Sequence, residues 1–188
     1  KLTIELKEMV LAAKTMTALE DIYLPYKPKR KTKASVAREK GLEPLALSIL
    51  EQDQKNPETE AQTFIDVEKG VNTIEEALLG AKDIIAEMIA ENADARTTMR
   101  ILFYEKGIYK AEVLKGKEQE GIKYKDYFEW TEPVKTAPSH RVLAMRRGEK
   151  ELILKLNALP KEEDAVSLLE NQFVKSNNAK TKLVIVAL

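Results

Sequence analysis

The chain contains no cysteine and a single histidine among its 188 residues. Without thiols there can be no disulfide framework, no thiolate zinc site and no cysteine nucleophile. With His140 as the one imidazole, a metal site built on two or more histidines of the chain is excluded too. Glycine and proline are scarce, at seven each, and the composition leans on Ala, Leu, Glu and Lys, which favour helix over strand. No apolar run approaches the roughly 20 residues of a membrane span, and no signal-peptide pattern opens the chain. Net charge is missing as well, since 31 Lys and Arg balance 31 Asp and Glu. These absences leave a mainly α chain with no cofactor, metal or membrane partner expected, and the lack of cysteine fits a reducing cytoplasm.

The charge balance is not local. Between Lys27 and Lys40 stand seven basic residues (Lys27, Lys29, Arg30, Lys31, Lys33, Arg38, Lys40) and one acid, Glu39, so the remainder carries the compensating six negative charges. Pro25 and Pro28 stiffen the start of this tract. A stiffened run of cations can lie along a phosphate backbone at reduced ordering cost, releasing counterions as it binds, and Arg30 can grip a phosphate or carboxylate with two bonds. The alternative is a structural strap whose tyrosines and leucines pack while the cations stay solvated or pair with acidic helix faces.

Periodicity assigns the elements. Leu2, Leu6, Met9, Val10, Ala13 and Met16 form one stripe and predict an amphipathic helix over 2–22. Prolines break it, and helix resumes at Ser35, read as a cap. Leu42, Leu45, Ile49 and Leu50 carry another helix to about Gln54. Asn56-Pro57 opens a short one. Thr73-Ile-Glu-Glu76 has capping-box spacing, and Ile74, Ala77, Leu78, Ala81, Ile85, Met88 and Ile89 then keep one face apolar for five turns. A helix over 93–106 ends at Gly107. Alternation predicts minor strands near 109–114 and 151–158, with short helices at Tyr124–Phe128, 139–148 and after Pro160. Asn177 or Asn178 caps a final helix over Ala179–Leu188, despite the strand propensity of its Leu-Val-Ile-Val core. The expected organisation is a helical region 1–106, an irregular connector 107–138 and a smaller helical region 139–188.

Catalytic constellations are missing. Ser139 and His140 are neighbours whose side chains diverge by about 100° on a helix, which disfavours a triad; a helix start is the simpler role. Gly116, Gly121 and Lys123 imitate a phosphate loop, but Lys123 does not follow the second glycine, no Ser or Thr comes after it, and Glu118 and Glu120 would repel phosphate. Tyr124, Tyr127, Phe128 and Trp130, interleaved with Lys123 and Lys125, can stack bases. Their helical spacing favours packing between the two halves of the chain. No enzyme activity is expected.

The stretch Leu19-Glu-Asp-Ile-Tyr-Leu-Pro-Tyr-Lys-Pro-Lys-Arg-Lys-Thr-Lys-Ala-Ser-Val-Ala-Arg-Glu-Lys-Gly-Leu-Glu-Pro-Leu-Ala46 resembles the N-terminal signature of the Tex family of bacterial transcription accessory proteins. Ala77–Glu87, Lys115-Gly-Lys-Glu118 with Tyr124–Phe128, and Pro138-Ser-His-Arg141 leading to Arg147-Gly-Glu149 agree in the same order. In one departure, Leu152 stands where the family tends to place glycine, so the turn into the following strand is expected to differ.

The resemblance implies a cytoplasmic factor whose helical N-terminal region precedes an RNase H-like domain, helix-hairpin-helix modules and an OB-type RNA-binding domain. The chain is expected to stop before the RNase H-like domain; its first and last residues, Lys1 and Leu188, both read as cut. The expected function is a helical scaffold in a nucleic-acid-binding transcription accessory factor. Weak phosphate contacts to RNA or DNA would come from Lys27, Lys29, Arg30, Lys31 and Lys33, with Arg146 and Arg147 as a second patch. The alternative is a protein–protein module docking on polymerase, ribosome-associated machinery or the rest of its own chain.

Overall fold

A computed structural model describes residues 3–27 and 30–188. The chain divides into two compact units, one comprising 1–96 and 168–188 and the other 97–167. As expected, helix predominates, with one small sheet.

The first unit holds α1 (Ile4–Ala12), α2 (Met16–Tyr23), α3 (Lys33–Glu39), α4 (Glu43–Glu51), α5 (Pro57–Gln62), α6 (Ile74–Glu91) and α10 (Ala179–Ala187), together with the start of α7 (Ala93–Lys106) and the end of α9 (Glu162–Phe173). α6 is its axis: α3, α4, α5 and α10 all pack on it. Ala77, Ala81, Ile84 and Ile85 of α6 are fully buried against Leu42, Leu45, Ile49 and Val184. Gly80 lets the α3–α4 corner approach closely, because a Cβ there would lie 2.4 Å from a Leu42 methyl. Thr73 caps α6 by accepting the Glu76 N–H at 3.2 Å. The box is not reciprocal, however: the Glu76 carboxylate turns to the backbone N–H of Asn72 at 2.7 Å.

Two expectations about the first unit change. The helix predicted over 2–22 is two, broken after Ala12, with the Thr15 hydroxyl accepting the Ala18 N–H to start α2. The apolar stripe did not register this local competition from a capping threonine. The cap of α3 is Thr32, with Ser35 three residues inside it: each side chain accepts the other's backbone N–H, at 3.0 and 2.9 Å. Asn178 caps α10, and the helical reading of 179–188 holds.

The second unit is a three-stranded antiparallel sheet in the order β2-β1-β3, from β1 (Ile108–Val113), β2 (Glu129–Pro133) and β3 (Leu154–Leu159). Ala111 lies opposite both Trp130 and Leu156, and Met145 of α8 (Ser139–Lys150) packs on that row. The stretch 107–138, expected as an irregular connector, thus supplies two strands. β2 is short, acidic and ends in proline, so its strand character comes from pairing with β1 rather than from propensity. Residues 168–188, expected to stay with 139–167, belong to the first unit: Leu169 and Phe173 pack on the core around α6. Their spacing shows that they face inward without saying which core they enter.

Leu152, between α8 and β3, adopts the left-handed conformation with φ 57° and is 69% exposed. The turn therefore uses a backbone geometry suited to glycine with leucine in place.

Candidate nucleic-acid interface

The basic tract leaves α2 through a 3-10 turn, Leu24–Tyr26, and continues into α3, which Thr32 caps. Its far end is anchored. The Thr32 hydroxyl donates to Glu87 of α6 at 2.9 Å, and Arg38 pairs with the same carboxylate and with Glu43 at 3.2 Å. Lys40 donates to the Gly70 carbonyl at 2.7 Å. Two of the seven cations counted in the sequence thus hold the fold together.

The cations assigned to phosphate are placed differently. Lys27, Arg30, Lys31 and Lys33 are all exposed, and Lys29 lies outside the described residues. Lys31 approaches Glu39 at 3.6 Å with both side chains about two-thirds or more exposed (71% and 66%), a geometry worth little in water. Lys27, Arg30 and Lys33 form no ion pair with any described residue. The tract therefore presents uncompensated positive charge from an anchored base.

The second patch lies next to carboxylates. Arg146 pairs with Glu149 at 2.9 Å. Lys123 pairs with Glu151 at 2.7 Å, and the hydrogen bond from Lys123 holds the Glu151 carboxyl below its usual range, with Arg147 adding to the effect. Arg147 itself is exposed. The aromatic cluster serves the second unit's own interior: Tyr124 is buried, and Tyr127 meets Trp130 edge-on at 5.9 Å. The Arg141 guanidinium covers Trp130 at 5.4 Å while bonding Glu132 at 2.6 Å. These rings are engaged with neighbours inside the second unit.

His140 and Ser139 are exposed on the first turn of α8. Among the described residues, no group of His, Asp or Glu side chains is arranged to hold a metal ion, and no helix is long and apolar enough to cross a membrane.

Residues 52–183 match the Tex central region-like family. The chain belongs to the Tex family. It is 44% identical over 156 residues to Protein tex of Bordetella pertussis, covering 83% of this chain and 20% of that protein. Transcriptional accessory protein Tex of Neisseria gonorrhoeae is 42% identical over the same length, again 83% of this chain and 20% of that protein. Human S1 RNA-binding domain-containing protein 1 is 32% identical over 163 residues, 81% of this chain and 16% of its own. The chain spans about a fifth of the length of the Tex relatives it matches. The basic tract lies before the segment matched to the Tex central region.

Sequence reasoning missed two features of this surface. One is the anchoring of Thr32 to Glu87, which has no local signature because the partners are 55 residues apart. The other is that the α1–α2 stripe faces outward: α1 buries none of its residues.

Proposed function

We propose that this Tex-family chain acts as a helical scaffold with an auxiliary phosphate-contacting tract in a cytoplasmic, nucleic-acid-binding transcription accessory factor. The observation that carries the reading is the exposure of Lys27, Arg30 and Lys33 without a carboxylate partner among the described residues, next to an anchored helix start. Exposed, uncompensated cations bind phosphate through counterion release and carry no base readout. The names of two relatives, a transcriptional accessory protein and an S1 RNA-binding domain-containing protein, support the nucleic-acid setting. Contact with transcription machinery belongs to the same proposal. Arg146 and Arg147 contribute less, since Glu149 and Glu151 oppose them. The reading includes no catalytic step; hydrolysis of single-stranded RNA or DNA, followed with and without magnesium, should stay at background.

The test is a salt titration of single-stranded nucleic acid binding. Replacing Lys27, Lys29, Arg30, Lys31 and Lys33 by Ala should flatten the log–log salt slope by up to about 3.5, at roughly 0.7 per phosphate contact. Arg146→Ala with Arg147→Ala should change it by about one or less. Binding with an unchanged slope in the five-alanine variant would remove the tract from the interface.

A further inference from the structure

The hairpin of α1 and α2 carries an apolar surface that the phosphate reading does not use. Between the two helices runs a groove of about 590 Å³ lined by Leu6, Val10, Met16, Leu19, Tyr23 and Tyr26, among others, with Glu20 the one charged residue among the described lining. Of these, Met16 is 71% exposed. A small-molecule site of this size would show several convergent polar anchors, which this lining lacks. An open trough between two helices instead suits the apolar face of a third.

The charges around the groove give its occupant a polarity. Asp21 is buried against Arg96 at 2.7 Å, leaving Glu5, Lys7, Glu8, Lys14 and Glu20 as a nearly balanced rim along the helices. At the Tyr26 end the chain passes straight into Lys27, then Arg30 and Lys31. Four residues of chain place Arg30 at most roughly 14 Å from Tyr26. A helix of about 12 residues is about 18 Å long, enough to fill the groove and reach these cations. Acids at such a helix's first turn would meet the tract and also favour its own dipole.

We propose that the α1–α2 groove and the tract leaving it form a docking site for an amphipathic protein helix with an acidic first turn. The site goes beyond phosphate contact but shares Lys27, Arg30 and Lys31 with it, so docked helix and nucleic acid exclude one another. The concavity of the groove favours a helix over a lipid surface, which meets protruding apolar side chains.

The probe is a labelled helical peptide of about 18 residues, five turns, with leucines at i, i+3, i+4 and i+7 and glutamates in its first turn. A twin carries lysines there instead. Fluorescence anisotropy with the 188-residue chain should give saturable binding of the acidic peptide, on the order of micromolar, and roughly tenfold weaker binding of the twin. Val10→Glu with Met16→Glu lies outside the core, keeps the fold by circular dichroism and should abolish binding of both peptides. Lys27→Glu with Arg30→Glu should reverse the preference. Single-stranded nucleic acid should displace the acidic peptide, and the nucleic-acid salt slope of the groove variant should equal that of the wild type. Loss of the slope effect with peptide binding intact sinks only the phosphate reading. The proposal is overturned by no saturable acidic-peptide binding, by equal binding of the twins, or by binding that survives the groove variant. It is equally overturned by a dimer in sedimentation that the groove variant breaks, or by anionic-vesicle binding that the groove variant removes while peptide binding is untouched.

Discussion

Lys180 and Lys27 are the same residue type put to opposite uses in one unit. The Lys180 side chain is fully buried, and its ammonium reaches Glu60 at 2.6 Å, Asp53 at 2.7 Å, the Ser48 hydroxyl at 2.8 Å and the Ser48 carbonyl at 3.1 Å. Around it the chain is clasped further. Gln52, left-handed at the end of α4, donates to the Phe173 carbonyl at 2.7 Å and accepts the Lys175 N–H at 2.9 Å, while Asn178 donates to the carbonyls of Gln52 and Asp53. This polar clasp ties α10 to the α4–α5 corner. Lys27 is exposed and has no acidic partner among the described residues. The difference teaches that a lysine becomes structural when the fold surrounds it with enough acceptors to offset its desolvation, and stays available for binding when it does not.

The largest effect that sharpens this contrast is expected from Lys180→Ala. It should cost about 3 kcal/mol in urea denaturation, the low end for breaking a buried pair, since Asp53 and Glu60 keep some contact with water. A loss below about 0.5 kcal/mol would erase the distinction between the two lysines, being no more than an ordinary surface substitution.

The pH dependence follows the same clasp. Burial pushes Lys180 down, but hydrogen bonds to Asp53 and Glu60 outweigh it and leave the group above the ordinary lysine value. The hydrogen bond from Lys180 holds Asp53 below the ordinary carboxylate value. The contribution of Asp53 is therefore complete above its unfolded value, near 4, and is lost as pH falls through the depressed folded one. That of Lys180 is complete below its unfolded value, near 10.4, and is lost as pH rises through the raised one. The stability gap between wild type and Lys180→Ala should be widest between these limits and narrow toward both extremes of pH.

Leu152 offers a control from the second unit, where backbone alone is at issue. Leu152→Gly should stabilise the chain by about 1 kcal/mol through relief of the left-handed strain, with no dependence on salt or pH. Destabilisation measured by thermal melting would mean that the exposed leucine makes contacts that outweigh the strain. The smallest effect belongs to the tract. Replacing its five cations by Ala should move the unfolding midpoint by no more than about 0.5 kcal/mol, the range of exposed surface substitutions, while changing nucleic-acid binding. A larger stability loss would make the tract a strap.

Much of the fold is legible in the sequence. The helix opened by Thr73, the one ended by Gly107 and the one capped by Asn178 rest on capping chemistry within a few residues of each boundary. The break at Ala13 and the strand at Glu129–Pro133 were not legible, because each is settled by competition or pairing rather than by periodicity. In the candidate site the sequence picked out Lys27, Lys29, Arg30, Lys31 and Lys33 and left Arg38 and Lys40 aside, but it did not show the partners that occupy those two, Glu87, Glu43 and the Gly70 carbonyl.

By itself, then, the sequence determined the helical class, the absence of thiol chemistry, the family and the place where positive charge accumulates, since each is a property of composition or of short-range order. Only the tertiary structure decided which cations are buried, which are anchored and which face solvent, and that α1 turns its apolar residues outward. Charge compensation and burial depend on partners far apart in the chain, such as Asp53 for Lys180 and Glu87 for Thr32, and no local pattern encodes such pairings.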